Sequence, residues 1–179
     1  MWMVNATYLT AFAQSLRHFG HLEGLRAGLE HSTRRLLDDP SAQRWWPGPD
    51  FAQVLVAYEA LHGRAVVSRT NVHTSGSRMG PLVRPLASVL LAFTRTPAAA
   101  LLAHLPTFLE PGVQNVRSSF ACSPKGGGGH VRFIFPEPVP EVLSTVWHGL
   151  FDTGFALAKQ GRVVKEVLEP AIHHYDIEW

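Results

Sequence analysis

The chain has a single cysteine, Cys122, among its 179 residues. That excludes an intramolecular disulfide and any zinc site built on cysteine pairs. It suits a reducing compartment. Long apolar runs are missing too: Leu86 to Phe93 is among the longest, against the roughly 20 residues a membrane helix needs. The start, Met1-Trp2-Met3-Val4-Asn5, has no positive cluster followed by an apolar stretch, so no secretory signal is read there. A soluble, cytoplasmic protein is expected. Lysine is scarce, with 3 against 13 arginines, which reads as the mark of a G+C-rich gene.

Acids are nearly absent from the middle of the chain. Between Ala60 and Pro136 the only one is Glu110, against Arg64, Arg69, Arg78, Arg84, Arg95, Arg117, Lys125 and Arg132. That segment carries +7, residues 1–59 carry −1 and residues 137–179 carry −4. A fold that gathers the middle segment on one face attracts anions. Packing of the acidic C-terminal part beside it neutralises the same charge. Sequence leaves both open.

Catalytic and metal signatures are lacking. There is no Gly-x-Ser-x-Gly elbow and no His-Glu-x-x-His pair. Lys125 precedes Gly126-Gly127-Gly128-Gly129, whereas a phosphate loop needs its glycines before the lysine. That run is read as a hairpin tip. His173 and His174 are neighbours on a strand and point to opposite faces, while Gly20 separates His18 from His21. No metal site follows from the ten histidines. Cys122 beside the glycine run is read as a small residue at a strand end, and Asp38-Asp39 as a helix stop.

Enough apolar material is present for a core: 46% of residues against 17% charged. One domain over residues 1–179 is expected, mainly helical over 1–110 and ββαββ over 111–179. Helical spacing predicts helices over Ala6–His18 and Leu22–Leu37, the second stopped by Asp38-Asp39-Pro40. Trp45-Trp46-Pro47-Gly48-Pro49 reads as an aromatic turn, with Asp50 as N-cap of a helix to Leu61. Residues 64–76 suit a strand by propensity and tolerate a helix. Further helices are expected over Pro81–Phe93 and after Thr96-Pro97. Strands follow at 113–121 and 130–135, then a helix from Pro140 to Gln160 and strands near Arg162–Leu168 and Ile172–Trp179. The fold class is α+β, an N-terminal helical layer packed on a four-stranded antiparallel sheet.

Several runs carry a resemblance. Asp39-Pro40, Trp45-Trp46-Pro47-Gly48, Leu61-His62-Gly63 and Met79-Gly80-Pro81-Leu82-Val83-Arg84-Pro85-Leu86 come first. Phe135-Pro136, Val139-Pro140, Trp147-His148-Gly149 and the closing Tyr175-Asp176-Ile177-Glu178-Trp179 complete the set. Over nearly its whole length the chain resembles an uncharacterised paralogous family of myxobacterial proteins. That family is similar to a wider superfamily of haem nitric-oxide sensors, 4-vinyl-reductase-type ligand-binding domains and vesicle-tethering (TRAPP-like) subunits. The resemblance implies helices against a four-stranded sheet, often a homodimer, an apolar pocket in some branches, and no catalysis. The Tyr-x-Ser-x-Arg motif with which the haem sensors grip propionates is missing from this sequence.

The expected function is therefore a non-catalytic small-molecule-binding or signalling module with an apolar, arginine-edged pocket. The alternatives are a protein-interaction scaffold without ligand, and a haem-based gas sensor. Arg78 and Arg84 flank Gly80-Pro81, where a helix start and two guanidinium groups suit an anion. Trp147 and Phe151 lie on the C-terminal helix beside Gly149 and Gly154. Each glycine costs about 0.5–1 kcal/mol against alanine inside a helix, which asks for close packing or for room beside a guest. His73 completes the ligand-binding set. No cofactor is assigned. The expected partners are a small apolar or anionic ligand and a second copy of the chain, with no membrane span and no nucleic acid.

Overall fold

The computed structural model describes residues 1–77, 94 and 96–179. Short strand β1 (Met3–Asn5) leads into α1 (Ala6–His18), and the Asn5 side chain accepts a hydrogen bond from the Thr7 amide to cap it. Next come α2 (Leu22–Gly28) and α3 (His31–Asp38). The single helix expected over Leu22–Leu37 is thus two. Leu29 and Glu30 are extended at the joint, which breaks the ladder and lets both short helices turn leucines inward.

Trp45–Pro47 is a strand, β2, where an aromatic turn is expected. It pairs antiparallel with β1, whose other edge takes β3 (Val113–Gln114), giving the order β2-β1-β3. Helix α4 (Gly48–His62) begins directly after Pro47, so Asp50 lies in its first turn and does not cap it. Residues 64–77 are helical (α5), which settles the ambiguous segment. The β-prone Val67 and Thr70 are both buried on this helix. Tertiary burial overrides strand propensity there. The helix expected over Pro81–Phe93 lies outside the described residues.

Helix α6 (Pro97–Ala103) starts with its proline in the first turn and yields at His104 to α7 (Leu105–Leu109). The strand expected at 113–121 is divided into β3 and β4 (Arg117–Cys122) by Asn115, whose φ is 61°. Strand β5 (Gly128–Ile134), a 3₁₀ turn at Glu141–Leu143, α8 (Ser144–Ala158), β6 (Arg162–Glu169) and β7 (Ile172–Glu178) complete the chain. The large sheet is antiparallel throughout, in the order β4-β5-β7-β6. The fold is α+β with a four-stranded antiparallel sheet, as the periodicities imply, and carries a second, small sheet in addition.

Alternation on β5 and β7 sends Val131, Phe133, His173, Tyr175 and Ile177 to one buried face. Helix α8 covers that face. Trp147 stacks on Phe133 at 4.2 Å, and Phe151 meets Tyr175 at 5.0 Å. The other side of α8 meets α5. A Cβ at Gly149 would lie 2.7 Å from the Asn71 carbonyl carbon and oxygen and 2.9 Å from the Val72 nitrogen. The helices therefore cross with almost no gap. Asn71 is fully buried and serves both neighbours: its amide donates to the Thr145 hydroxyl at 2.9 Å, and its side-chain oxygen accepts from Tyr8 at 3.2 Å. Gly154, one turn and a half further on, has open space around it. Among the described residues no helix is long and apolar enough to cross a membrane.

The two glycines of α8 predict opposite outcomes. Gly149→Ala should destabilise by about 3 kcal/mol, because the rigid Asn71 backbone leaves the methyl nowhere to go. Gly154→Ala should stabilise by about 0.5–1 kcal/mol through helix propensity. Urea denaturation of the two variants checks both.

Candidate functional site

Two adjoining spaces open where α6 and α7 pass over α8. The inner one, about 40 Å³, is wholly apolar, and Leu101, Leu102, Leu105, Phe108, Leu150 and Phe151 form most of its wall. Gly154 lies on its floor. The outer one is a cleft of about 660 Å³ that shares Phe108 and Leu150 with the first. Its apolar side is Val146, Trp147, Leu109 and Val113, and its mouth carries Thr7, Arg44, Gln114 and Glu110. The small sheet builds this mouth. Pairing of β1 with β2 and β3 brings Asn5 against Gly112, whose carbonyl accepts from the Asn5 amide at 2.9 Å, and puts the start of α1 opposite α7.

Tyr8 and Ser75 form the deep end of the cleft. Tyr8 is half-buried as a residue, yet its hydroxyl sits deep enough that burial pushes its pKa well above the ordinary tyrosine range. It is a neutral donor to Asn71. Arg44 is exposed and has no ion-pair partner among the described residues. The site therefore joins an apolar wall to the Arg44 guanidinium at the rim, which suits an amphipathic or acidic guest. No nucleophile among the described lining residues sits against a histidine base.

The residues expected to form the site are distributed as follows. Trp147 lines the outer cleft and Phe151 the inner space, so these two come together. Arg78 and Arg84 lie outside the described residues. His73 stands apart from both spaces: it is exposed, its Nδ1 lies 2.9 Å from the Ser15 hydroxyl, and its ring stacks on His18 at 4.6 Å. A second pair, His21 on His62 at 4.2 Å, lies on the same side, with His21 2.6 Å from the Tyr58 hydroxyl. Among the described residues no three histidine, cysteine or acidic side chains converge on a common metal position. Arg44 and Tyr8 were not among the sequence candidates. No motif marks either residue: Arg44 is one of 13 arginines and Tyr8 one of 3 tyrosines.

No protein-family model matches the chain, and no curated protein matches it in sequence. Solved structures do match in shape. The Fe(II) unliganded H-NOX protein from K. algicida superposes with a TM-score of 0.64 at 10% identity, over 97% of this chain and 95% of that one. The fold is that of the H-NOX domains. A Tt H-NOX with two substitutions to phenylalanine gives 0.61 at 9% identity over 98% and 94%. An oxygen-binding H-NOX domain related to soluble guanylate cyclases gives 0.54 at 9% identity over 97% and 92%. The H-NOX likeness agrees with the wider superfamily at the level of fold; the myxobacterial family rests on the sequence runs alone.

A haem needs an axial ligand. Two histidines adjoin lining residues in sequence, His104 before Leu105 and His148 after Trp147. His104, between α6 and α7, is exposed, and His148 on α8 is held by Glu166 at 3.3 Å. Neither lines either space, and among the described lining residues Tyr8 is the only side chain of an iron-ligating kind. Residues 78–93 contain no histidine, cysteine or tyrosine. With its phenol neutral and turned to Asn71, the donor set does not fit a histidine-ligated haem.

Under the cleft, His173 is buried with its Nδ1 unpartnered. Burial is the main cause that lowers its pKa from 6.5 to about 4; Arg64 and His174 add to the effect and Glu166 opposes it. A neutral buried imidazole must charge on unfolding once the pH drops below 6.5, so its contribution is complete above that pH and is lost as pH falls toward about 4. The stability difference between the wild type and His173→Leu, followed by denaturant titration from pH 7.5 to 4, should move against the wild type across that window. A difference that is flat with pH contradicts it.

Proposed function

We propose that the protein is a non-catalytic ligand-binding sensor domain. Its guest would be a small molecule with an apolar body, held between α6–α7 and α8, and an acidic end at Arg44. The observation that carries this is the cleft itself, apolar along Trp147 and Leu150 and edged by Arg44, which has no ion-pair partner among the described residues. An open apolar cleft favours a ligand over a purely scaffolding role, for which a solid centre beneath a large exposed apolar patch is the expected form. The H-NOX fold supports the sensor reading, as domains of that shape include an oxygen-binding one related to soluble guanylate cyclases.

Haem is the second reading. The structural neighbours favour it over an unspecified guest, since their descriptions include an Fe(II) protein and work on haem distortion. The donor set described above weighs against it. His104 is the imidazole nearest in sequence to the cleft-lining Leu105, so it is the ligand to test.

An apolar anionic dye, 1-anilinonaphthalene-8-sulfonate, should bind saturably with enhanced fluorescence. Thr7→Trp, which blocks the mouth from an exposed position, and Arg44→Ala, which removes the rim charge, should each weaken binding by about tenfold. Equal binding by all three proteins removes the cleft as the site. In a separate haem titration the expected result is no histidine-type Soret band. A band that disappears in His104→Ala would establish the haem reading instead.

A further inference from the structure

Strand β6 ends the large sheet, and among the described residues its only strand neighbour is β7. Among the described residues it packs against β7 and α8 and makes no substantial contact with another element. The opposite edge strand, β4, is met by α6 and α7. Of the five large hydrophobic residues exposed among those described, two lie on β6: Val164 at 52% and Val167 at 41%. An open strand edge with exposed valines is a template for another strand.

The register of β6 says which strand fits. Lys165, Val167 and Glu169 lie opposite Asp176, His174 and Ile172 of β7 on the outer face, while Glu166 and Leu168 lie opposite the buried Tyr175 and His173 on the inner face. The irregularity between Val163 and Lys165 leaves Lys165–Glu169 as a regular stretch, and Pro170 follows it. On the outer face this stretch reads cation, valine, anion. Laid antiparallel against itself about Val167, it puts Val167 on Val167 and Lys165 on Glu169 twice. Centring on a residue rather than between two keeps each facing pair on one side of the sheet, as a two-fold axis normal to it requires. On the inner face Glu166 meets Leu168, and Glu166 keeps its own partner, His148.

We propose that β6 pairs antiparallel with β6 of a second copy of this chain, centred on Val167, so that two four-stranded sheets join into one of eight. Main-chain hydrogen bonds supply the attraction and the two crossed Lys165–Glu169 pairs supply the register. The paired stretch is short, so the dimer is weak and concentration-dependent. The pairing is independent of what the cleft binds.

Sedimentation velocity over a concentration series tests it with four proteins: the wild type, Lys165→Glu, Glu169→Lys and the double exchange. All substituted side chains are exposed, and circular dichroism confirms that each protein is folded. A reversible monomer–dimer equilibrium is expected for the wild type, weakened by about tenfold in each single variant and restored in the double one. Monomer at every concentration overturns the proposal. So does a dimer of equal strength in all four proteins, or one that the double exchange fails to restore.

Discussion

The crossing of α5 and α8 at Gly149 is the constraint on which the rest of the molecule depends. At that point the Asn71 backbone stands where a side chain on α8 would be. The Asn71 side chain then uses the proximity, donating to Thr145 on α8 and accepting from Tyr8 on α1. Three helices are pinned at one buried residue. Each of these hydrogen bonds contributes on the order of 1 kcal/mol, and leaving any of the three groups unpaired costs more than that. With α8 fixed to α5 on one side and to the sheet through Trp147 and Phe133 on the other, α6 and α7 cover only part of its surface among the described residues. The cleft is what is left over.

Much of this was legible where a short period repeats over many residues. The apolar stripe of α8, with Val146, Trp147, Leu150 and Phe151, and the alternation of His173, Tyr175 and Ile177 on β7 both carry their geometry in the sequence. The small sheet was not legible. Its strands hold two or three residues each and pair across gaps of 40 to more than 100 positions, so only tertiary contact creates them. Nor can sequence tell Gly149 from Gly154. Both interrupt the same helix at similar cost, yet one is pressed against a backbone and the other faces empty space.

The arginine at the rim shows the same limit. A middle segment poor in acids points to a basic face, and Arg78 and Arg84 within it are the natural candidates. The arginine placed at the cleft by the described residues is Arg44, from the acidic first third of the chain. Its position comes from β2, a strand that its tryptophan-rich sequence does not announce. Likeness to H-NOX domains at 10% identity is a likeness of fold, and the residues that decide a ligand are free to differ. The described side chains that line the cleft bear this out: they offer apolar surface, the Arg44 guanidinium, the Glu110 carboxylate and a neutral phenol, and none of them is an imidazole.

Where α6 and α7 pass over α8, the described side chains leave an apolar space over Gly154. Crystals of the protein pressurised with xenon test it most directly, since xenon enters empty apolar cavities and little else. A xenon atom is expected among Leu101, Phe108, Leu150 and Phe151. Well-ordered crystals that take up xenon elsewhere, or not at all, with side chains closed over Gly154, would contradict it.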